Sequence, residues 1–323
     1  MERILVTGAS GFVGGALGSA LRASGRYHVT GLSRTPPRDG ACDDFIAHDL
    51  AEPLPAATAP FDVIVHAAAL AAPWGTPAAY ERANVSATAN IIAFAQRTQP
   101  RRFVFISSSA VHYAYADQTG LTEESPWPAR PVNLYAATKR RGEQMVRASG
   151  LNWTIARPRA VFGPGDTVVF PHILKAAKAG AVPLLLGADG AAPRADLLYI
   201  DNLVWYLARI VERDAAGVFC LTNGEPIDIP AMLDHVFGAL GLAPKRPRIP
   251  ISVAMSAAAA MEFTARTFQN WHEPRVTRFG VASLAFSKTF DIVRARRELG
   301  DPPVPLADGM AAFLAWQKPL LAA

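Results

Sequence analysis

Thr7-Gly8-Ala9-Ser10-Gly11-Phe12-Val13-Gly14 stands near the head of the chain, between two runs of different pattern. Before it, Arg3-Ile4-Leu5-Val6 is a short apolar run that predicts a buried strand. After it, Val13, Ala16, Leu17, Ala20 and Leu21 fall on one face at helical spacing. A glycine-rich turn therefore joins a strand to a helix. Gly8 can take backbone angles that a side chain forbids. Gly11 lets the backbone come close to a pyrophosphate, and Gly14 lets the helix pack tightly on the sheet. The free N–H groups of the helix N-terminus then bind phosphates. The turn predicts a dinucleotide site.

The rest of the chain bounds what can surround that site. Its 323 residues suggest about two domains, and half of them are hydrophobic, enough for a sizeable core. Only 18% are charged, which argues against wholesale disorder, and the net charge of +5 is spread along the chain. No Lys/Arg run is long enough to argue for nucleic acid. Two cysteines, Cys42 and Cys220, give no disulfide framework and fit a reduced cytoplasmic setting. The chain enters a strand at once, which leaves no place for a signal peptide. No window reaches the roughly 18–20 clean apolar residues of a membrane span. The nearest, Ile249–Met261, is closed off by Glu262 and Arg266. It reads as a buried helix, with contact at a membrane surface as the minority reading. No metal site is expected.

Short β runs alternate with helical patterns through the first half, which predicts βαβ units and a parallel sheet. Strands are expected at His28–Leu32, Phe45–Ala47, Phe61–His66, Phe103–Ile106 and Trp153–Ala156, the last stopped by Arg157-Pro158. Helices are expected from Tyr80 to about Gln96 and from Leu134 to about Ala148. Beyond a turn at Gly163–Asp166, a short helix is expected at Phe170–Ala179. A strand at Leu197–Ile200 follows, with Asp201 placed to cap a helix through Val211. The fold class is thus α/β, a doubly wound parallel sheet with a smaller, mostly helical C-terminal part. Residues 1–160 make the dinucleotide domain, 195–220 return to it, and 161–323 mainly bind substrate.

Tyr135-Ala136-Ala137-Thr138-Lys139 carries the chemistry. Residues four apart on a helix share a face, so a phenol lies beside an ammonium. A free tyrosine has a pKa of about 10. A nearby cation favours phenolate and lowers that value, and an oxidised nicotinamide would act the same way. Such a pair can move a proton to or from an alcohol oxygen while hydride moves at carbon.

The Gly-x-x-Gly-x-x-Gly spacing, the Ser-rich end of the fifth strand and Tyr-x-x-x-Lys together resemble the extended short-chain dehydrogenase/reductase superfamily. The resemblance covers nearly the whole chain. It implies Tyr135 as acid-base, Lys139 as its electrostatic partner and holder of the cofactor ribose, and a serine that orients the substrate oxygen. Matching Val111 to the family's Val puts that hydroxyl on Ser108. Ser109 takes it if Tyr113 rather than His112 answers the family's tyrosine. The cofactor would contact Gly8, Ser10, Gly11, Phe12, Val13 and Gly14. The resemblance adds Asp49-Leu50 at the adenine, Ala67-Ala68-Ala69 along the cofactor, Asn84, and Pro158 and Val161 near the nicotinamide. His66 reads as structural. Asn84-Val85 opens a pattern whose usual Gly is here Ala87.

Leu198–Leu203, Phe286–Ile292 and Ala295–Gly300 resemble the 3β-hydroxysteroid dehydrogenase-like group. The implied reaction interconverts a secondary alcohol and a ketone on a mid-sized hydrophobic substrate. Trp74, Tyr113, Tyr115, Phe162, Phe170 and Trp271 are candidates for the lining or the core. A nucleotide-sugar epimerase or dehydratase that recycles its cofactor is the alternative, and a non-catalytic NADP sensor is the third. The second strand ends in Ser33-Arg34-Thr35, with no acidic residue until Asp39. That favours NADP(H) over NAD(H), with Arg34 and Ser33 facing the 2′-phosphate. The resemblance also implies a homodimer through the helices near 80–97 and 134–149.

Overall fold

In the computed structural model, which describes residues 1–185 and 190–322, a seven-stranded parallel sheet forms the centre. Its first half runs β1 (Glu2–Thr7), α1 (Phe12–Ala23), β2 (Tyr27–Ser33), β3 (Asp44–Ala47) and β4 (Val63–His66). A helical stretch follows as α2 (Pro77–Tyr80), a π turn at Glu81–Ser86 and α3 (Ala87–Thr98). Then come β5 (Arg102–Ile106), the short β6 (Gln118–Leu121), α4 (Leu134–Ala148) and β7 (Trp153–Pro158).

The second half is more broken. It runs β8 (Val161–Phe162), α5 (Val169–Lys178), β9 (Arg194–Ala195), β10 (Leu198–Tyr199), α6 (Ile200–Glu212) and β11 (Gly217–Leu221). It ends in β12 (Ile227–Asp228), α7 (Ile229–Ala239), α8 (Ile251–Phe268), α9 (Arg278–Ala285), β13 (Lys288–Phe290), α10 (Val293–Leu299) and α11 (Leu306–Ala322).

The strand order is β11-β7-β5-β4-β1-β2-β3. It reverses at β1, which pairs with both β2 and β4. In such a sheet the crevice for a ligand opens at that switch point, beyond the C-terminal strand ends. Both faces of the sheet are covered. Ile4, Leu5 and Val6 are fully buried, as are Val63, Ile64 and Val65, so these strands read as unbroken apolar runs. The C-terminal part reaches back over the crevice through a second sheet, ordered β12-β9-β13-β6. There β13 pairs in parallel with β6, which belongs to the loop that follows the serines.

Four local expectations change. β7 continues through Arg157 and Pro158, pairing Pro158 with Leu221, because a proline is tolerated where a strand ends. Tyr199, not Asp201, occupies the N-cap of α6, and Asp201 lies exposed in the first turn. The helix expected from Tyr80 is interrupted by the π turn at Glu81–Ser86. The helix expected at Ile249–Met261 runs on as α8 to Phe268, and most of it is exposed, including Val253, Phe263 and Phe268. The Glu262 carboxylate is buried and accepts hydrogen bonds from Arg278 N at 2.8 Å and Arg278 Nε at 2.9 Å. Among the described residues no helix is long and apolar enough to cross a membrane.

Candidate active site

The glycine turn is tight where the fold needs it and open where a ligand would sit. Gly8 has φ +70°, and a Cβ there would lie 2.8 Å from the Ala68 backbone. A Cβ on Gly14 would lie 2.3 Å from Gly8 O, so α1 can approach only as glycine. Gly11, by contrast, is exposed and meets only Gly8 O, at 3.2 Å. It forms the N-cap of α1, with no side-chain cap and no acidic residue in the first turn. Such an end favours an anion, and a dinucleotide pyrophosphate fits the cradle.

His66 holds the neighbouring strand end. Its Nδ1 pairs with Thr7 Oγ1 at 2.7 Å and its Nε2 with Thr88 Oγ1 at 3.1 Å. Ala68 N donates to the same Thr7 Oγ1 at 3.2 Å, which fixes Ala67-Ala68-Ala69 beside Gly8. Burial, with the Lys139 charge behind it, pushes the His66 imidazole down to about 3, so it stays neutral. It is a strut.

At the far end of the crevice Arg34 is exposed. The Ser33 hydroxyl is buried and donates to Thr35 O at 2.8 Å. Its proton is therefore engaged, and the expected second donor to a 2′-phosphate is not free. Asp49 accepts from Ala51 N at 3.0 Å and from Arg82 Nη2 at 3.0 Å. The Ala51 hydrogen bond and then the Arg82 and Arg34 charges hold its carboxyl below the usual range. Leu50 is buried beside it. Arg82 gave no signal in the sequence. Arg38 lies near the turn at Gly163–Asp166, since a Cβ on Gly165 would sit 3.5 Å from both Arg38 Nη2 and Phe12. Asp166 fixes that turn by accepting from the N–H groups of Val168, Val169 and Phe170.

The reacting end rests on α4. Asn133 caps it, its Oδ1 accepting from Ala136 N at 2.8 Å. Lys139 is buried, and its Nζ donates to Ile106 O at 2.7 Å while lying 5.9 Å from the Tyr135 ring centre. Burial pushes the ammonium down to about 7. Burial pushes the Tyr135 phenol up to about 12, although the neighbouring Ser108 hydroxyl acts to lower it. This corrects the expectation that Lys139 lowers it. The ammonium is itself desolvated and shared with a carbonyl, so in the protein alone the cost of burying phenolate dominates.

The three serines separate by direction. Ser107 Oγ donates to Glu143 Oε1 at 2.6 Å, and Ser109 Oγ pairs with Tyr113 OH at 2.8 Å. Ser108 Oγ accepts from Ala110 N at 3.2 Å and is engaged with neither Glu143 nor Tyr113. Asn84, in the π turn, is fully engaged: it exchanges hydrogen bonds with Leu70 and donates to Thr138 Oγ1 at 2.9 Å. It ties the loop after Ala69 to α4 between Tyr135 and Lys139 and leaves no group free for a cofactor. Pro158 is buried and Val161 half-buried, at the ends of neighbouring strands.

Beneath the site lies a pair that motif reasoning missed. Arg157 reaches Glu143 through Nε at 2.8 Å and Nη2 at 2.7 Å, and both side chains are almost fully buried. Arg157 Nη1 also meets His112 Nε2 at 2.8 Å and Glu123 O at 2.9 Å. Glu143 follows Lys139 by one further helical step, which is the one trace of it in the sequence.

Two clefts share Val132 and Phe279, and the second is also lined by Asn133 and Leu134, which precede Tyr135 in the chain. Trp74 and Trp271 wall one, with Trp74 Nε1 donating to Trp271 O at 2.9 Å. Tyr113 and Tyr115 wall the other. Phe162 and Phe170 face away, fully buried against Phe313 in the core. Phe279 and Lys288, both far along the chain, were not anticipated.

Comparison with known proteins follows the same lines. The model of the NAD dependent epimerase/dehydratase family matches residues 4–219. The 2-alkyl-3-oxoalkanoate reductase of Shewanella oneidensis is 29% identical over 96% of this chain and 85% of its own. The 3-beta-hydroxysteroid dehydrogenase of Mycolicibacterium neoaurum is 28% identical over 94% of this chain and 88% of its own. The crystal structure of UDP-glucuronic acid 4-epimerase from Bacillus cereus in complex with NAD superposes with a TM-score of 0.72 at 21% identity, covering 98% of this chain and 99% of that one.

Proposed function

The chain belongs to the NAD dependent epimerase/dehydratase family, and we propose that it is a ketone reductase acting on a mid-sized hydrophobic substrate, with NADP(H) preferred. The observation that carries this is the pairing of Tyr135 with Lys139 one helical step apart on α4, Lys139 Nζ 5.9 Å from the Tyr135 ring centre, next in the chain to Val132, Asn133 and Leu134, which line the aromatic-walled clefts. A bound nicotinamide supplies the hydride. The glycine turn holds its pyrophosphate and Arg34 the 2′-phosphate. Ser108 holds the substrate oxygen toward Tyr135. Tyr135, pushed up to about 12, keeps its proton near neutral pH and donates it to the developing alkoxide. Lys139, anchored on Ile106 O, supports the charge that then forms. Asn84 and His66 position these groups without touching the substrate.

A panel of hydrophobic ketones, hydroxysteroids and nucleotide sugars, followed by nicotinamide absorbance, tests this reading. Hydrophobic ketones should consume NADPH. Conversion of a nucleotide sugar to its epimer with no net absorbance change would replace the reductase reading with the epimerase one.

A further inference from the structure

One wall of the Tyr113 cleft holds two cations that the proposed proton transfer does not use. Arg159 is only 9% exposed, and its Nε has no hydrogen-bond partner. Its guanidinium carbon lies 5.3 Å from the Tyr113 ring centre, and among the described residues it has no carboxylate within ion-pair distance. Lys288 is 2% exposed, and its Nζ lies 5.8 Å from the same ring. Both line the cleft together with Tyr115, Val132 and Phe279.

Two like charges in an apolar lining are unfavourable together unless an anion joins them. The nearby acids do not fill that place. Asp196 spends one oxygen on Phe290 N at 2.7 Å, and its charge reaches Arg159 only from beyond ion-pair distance. Asp117 is held by Ser287 N at 2.6 Å. Lys288 is satisfied in part by the carbonyls of Ala116 and Ser287. The guanidinium is thus the group left open. It stands across one tyrosine ring from the serine row, because Tyr113 OH pairs with Ser109 Oγ.

We infer that Arg159, with Lys288 behind it, anchors a carboxylate of the substrate, so that the ketone reduced at Ser108 and Tyr135 belongs to a 3-oxo acid with a hydrophobic chain. This rests on the ketone-reductase reading of the site. The carboxylate lies between the two cations, the carbonyl faces the serine, and the alkyl part takes the aromatic walls. A planar guanidinium suits a carboxylate with two parallel hydrogen bonds. The relative from Shewanella oneidensis bears the name of a 2-alkyl-3-oxoalkanoate reductase, a substrate of this chemical type.

The test compares a 2-alkyl-3-hydroxyalkanoate with its methyl ester in the oxidative direction with NADP+, where both probes are stable. The wild type should favour the acid by about 10- to 100-fold in kcat/KM, the range for a charge-assisted contact. Arg159→Met should remove that preference through KM and leave turnover of the ester within about twofold, and Arg159→Lys should restore part of it. Lys288→Met gives a second, smaller loss of preference should Arg159→Met fold poorly. Equal use of acid and ester by the wild type overturns the inference. So does an equal loss of both in Arg159→Met, which would make the arginine merely structural. Turnover of a hydroxysteroid but of neither probe also overturns it and leaves the reductase reading standing. No cofactor turnover with any alcohol or ketone would instead remove the reductase reading itself.

Discussion

The two walls of the cleft are built by opposite means. One wall is the turn at Thr7–Gly14 and helix α4, where the defining pairs sit within a few residues of each other. Gly8 and Gly14 meet across one turn, and Tyr135 and Lys139 across one helical step. The other wall is Tyr113, Arg159, Phe279 and Lys288, gathered from four distant stretches by the pairing of β13 with β6 and β9. On the proposed reading the first wall holds what the chemistry needs on any substrate, and the second holds what selects one. A change on the first should therefore cost turnover on every substrate, and a change on the second should alter preference.

The largest expected effect is on the first wall. Tyr135→Phe should lower kcat by about 10³-fold or more, the scale of losing a general acid, while NADPH affinity stays within about twofold. Ser108→Ala should follow at about 10²-fold and exceed Ser109→Ala, since Ser109 is committed to Tyr113. Steady-state kinetics and fluorescence titration of NADPH measure both, and the reverse order of the serines would move the orienting role to Ser109.

Glu143 sharpens the comparison from below. Removing its charge leaves Arg157 buried without a counter-ion, so Glu143→Gln should cost about 3–5 kcal/mol of stability. Phe263→Ser, on the exposed face of α8, should stay within about 0.5 kcal/mol. Urea unfolding at one pH compares the two directly. Equal losses would mean that the brace under the serines is not what holds this wall.

Smaller again is the cofactor effect. Arg34→Ala should weaken NADPH by about tenfold and leave NADH nearly unchanged, because the exposed guanidinium is left to meet a 2′-phosphate while the Ser33 hydroxyl donates its hydrogen bond to Thr35 O. Specificity constants for both cofactors in wild type and variant decide it. A variant that loses both equally would free Arg34 of that role. Smallest is the helix cap. Asn133→Ala should cost about 1 kcal/mol, and Asp201→Ala less than about 0.5 kcal/mol, since only Asn133 accepts from its helix.

What could be read in the sequence follows the same division. The strand–turn–helix at the start and the bounds of α4 were legible because short-range periodicity and glycine spacing determine them. Ser108 emerged from three adjacent serines by alignment to a resembled pattern, whereas the commitment of Ser107 to Glu143 and of Ser109 to Tyr113 could not be read there. The Tyr135 shift was read with the wrong sign, because charge proximity shows in spacing and desolvation does not. Asp201 looked like a cap because the helix start was placed two residues late. Glu262 looked like the charged edge of an apolar window because its burial against Arg278 depends on a contact sixteen residues away. Arg82, Arg159 and Phe279 left no trace, and Lys288 stood out only as part of the Phe286–Ile292 segment, since their neighbours come from other elements and no local pattern marks their place in the cleft.

The central claim is a net hydride transfer from a free cofactor to a ketone. It is tested most directly by supplying NADPH deuterated at C4 of the nicotinamide, one diastereomer at a time, with the best ketone of the panel. Mass spectrometry of the alcohol should find one deuterium at the carbinol carbon from one of the two diastereomers, in proportion to NADPH consumed. Product formed without deuterium from either diastereomer, with the added cofactor unchanged, would contradict the account.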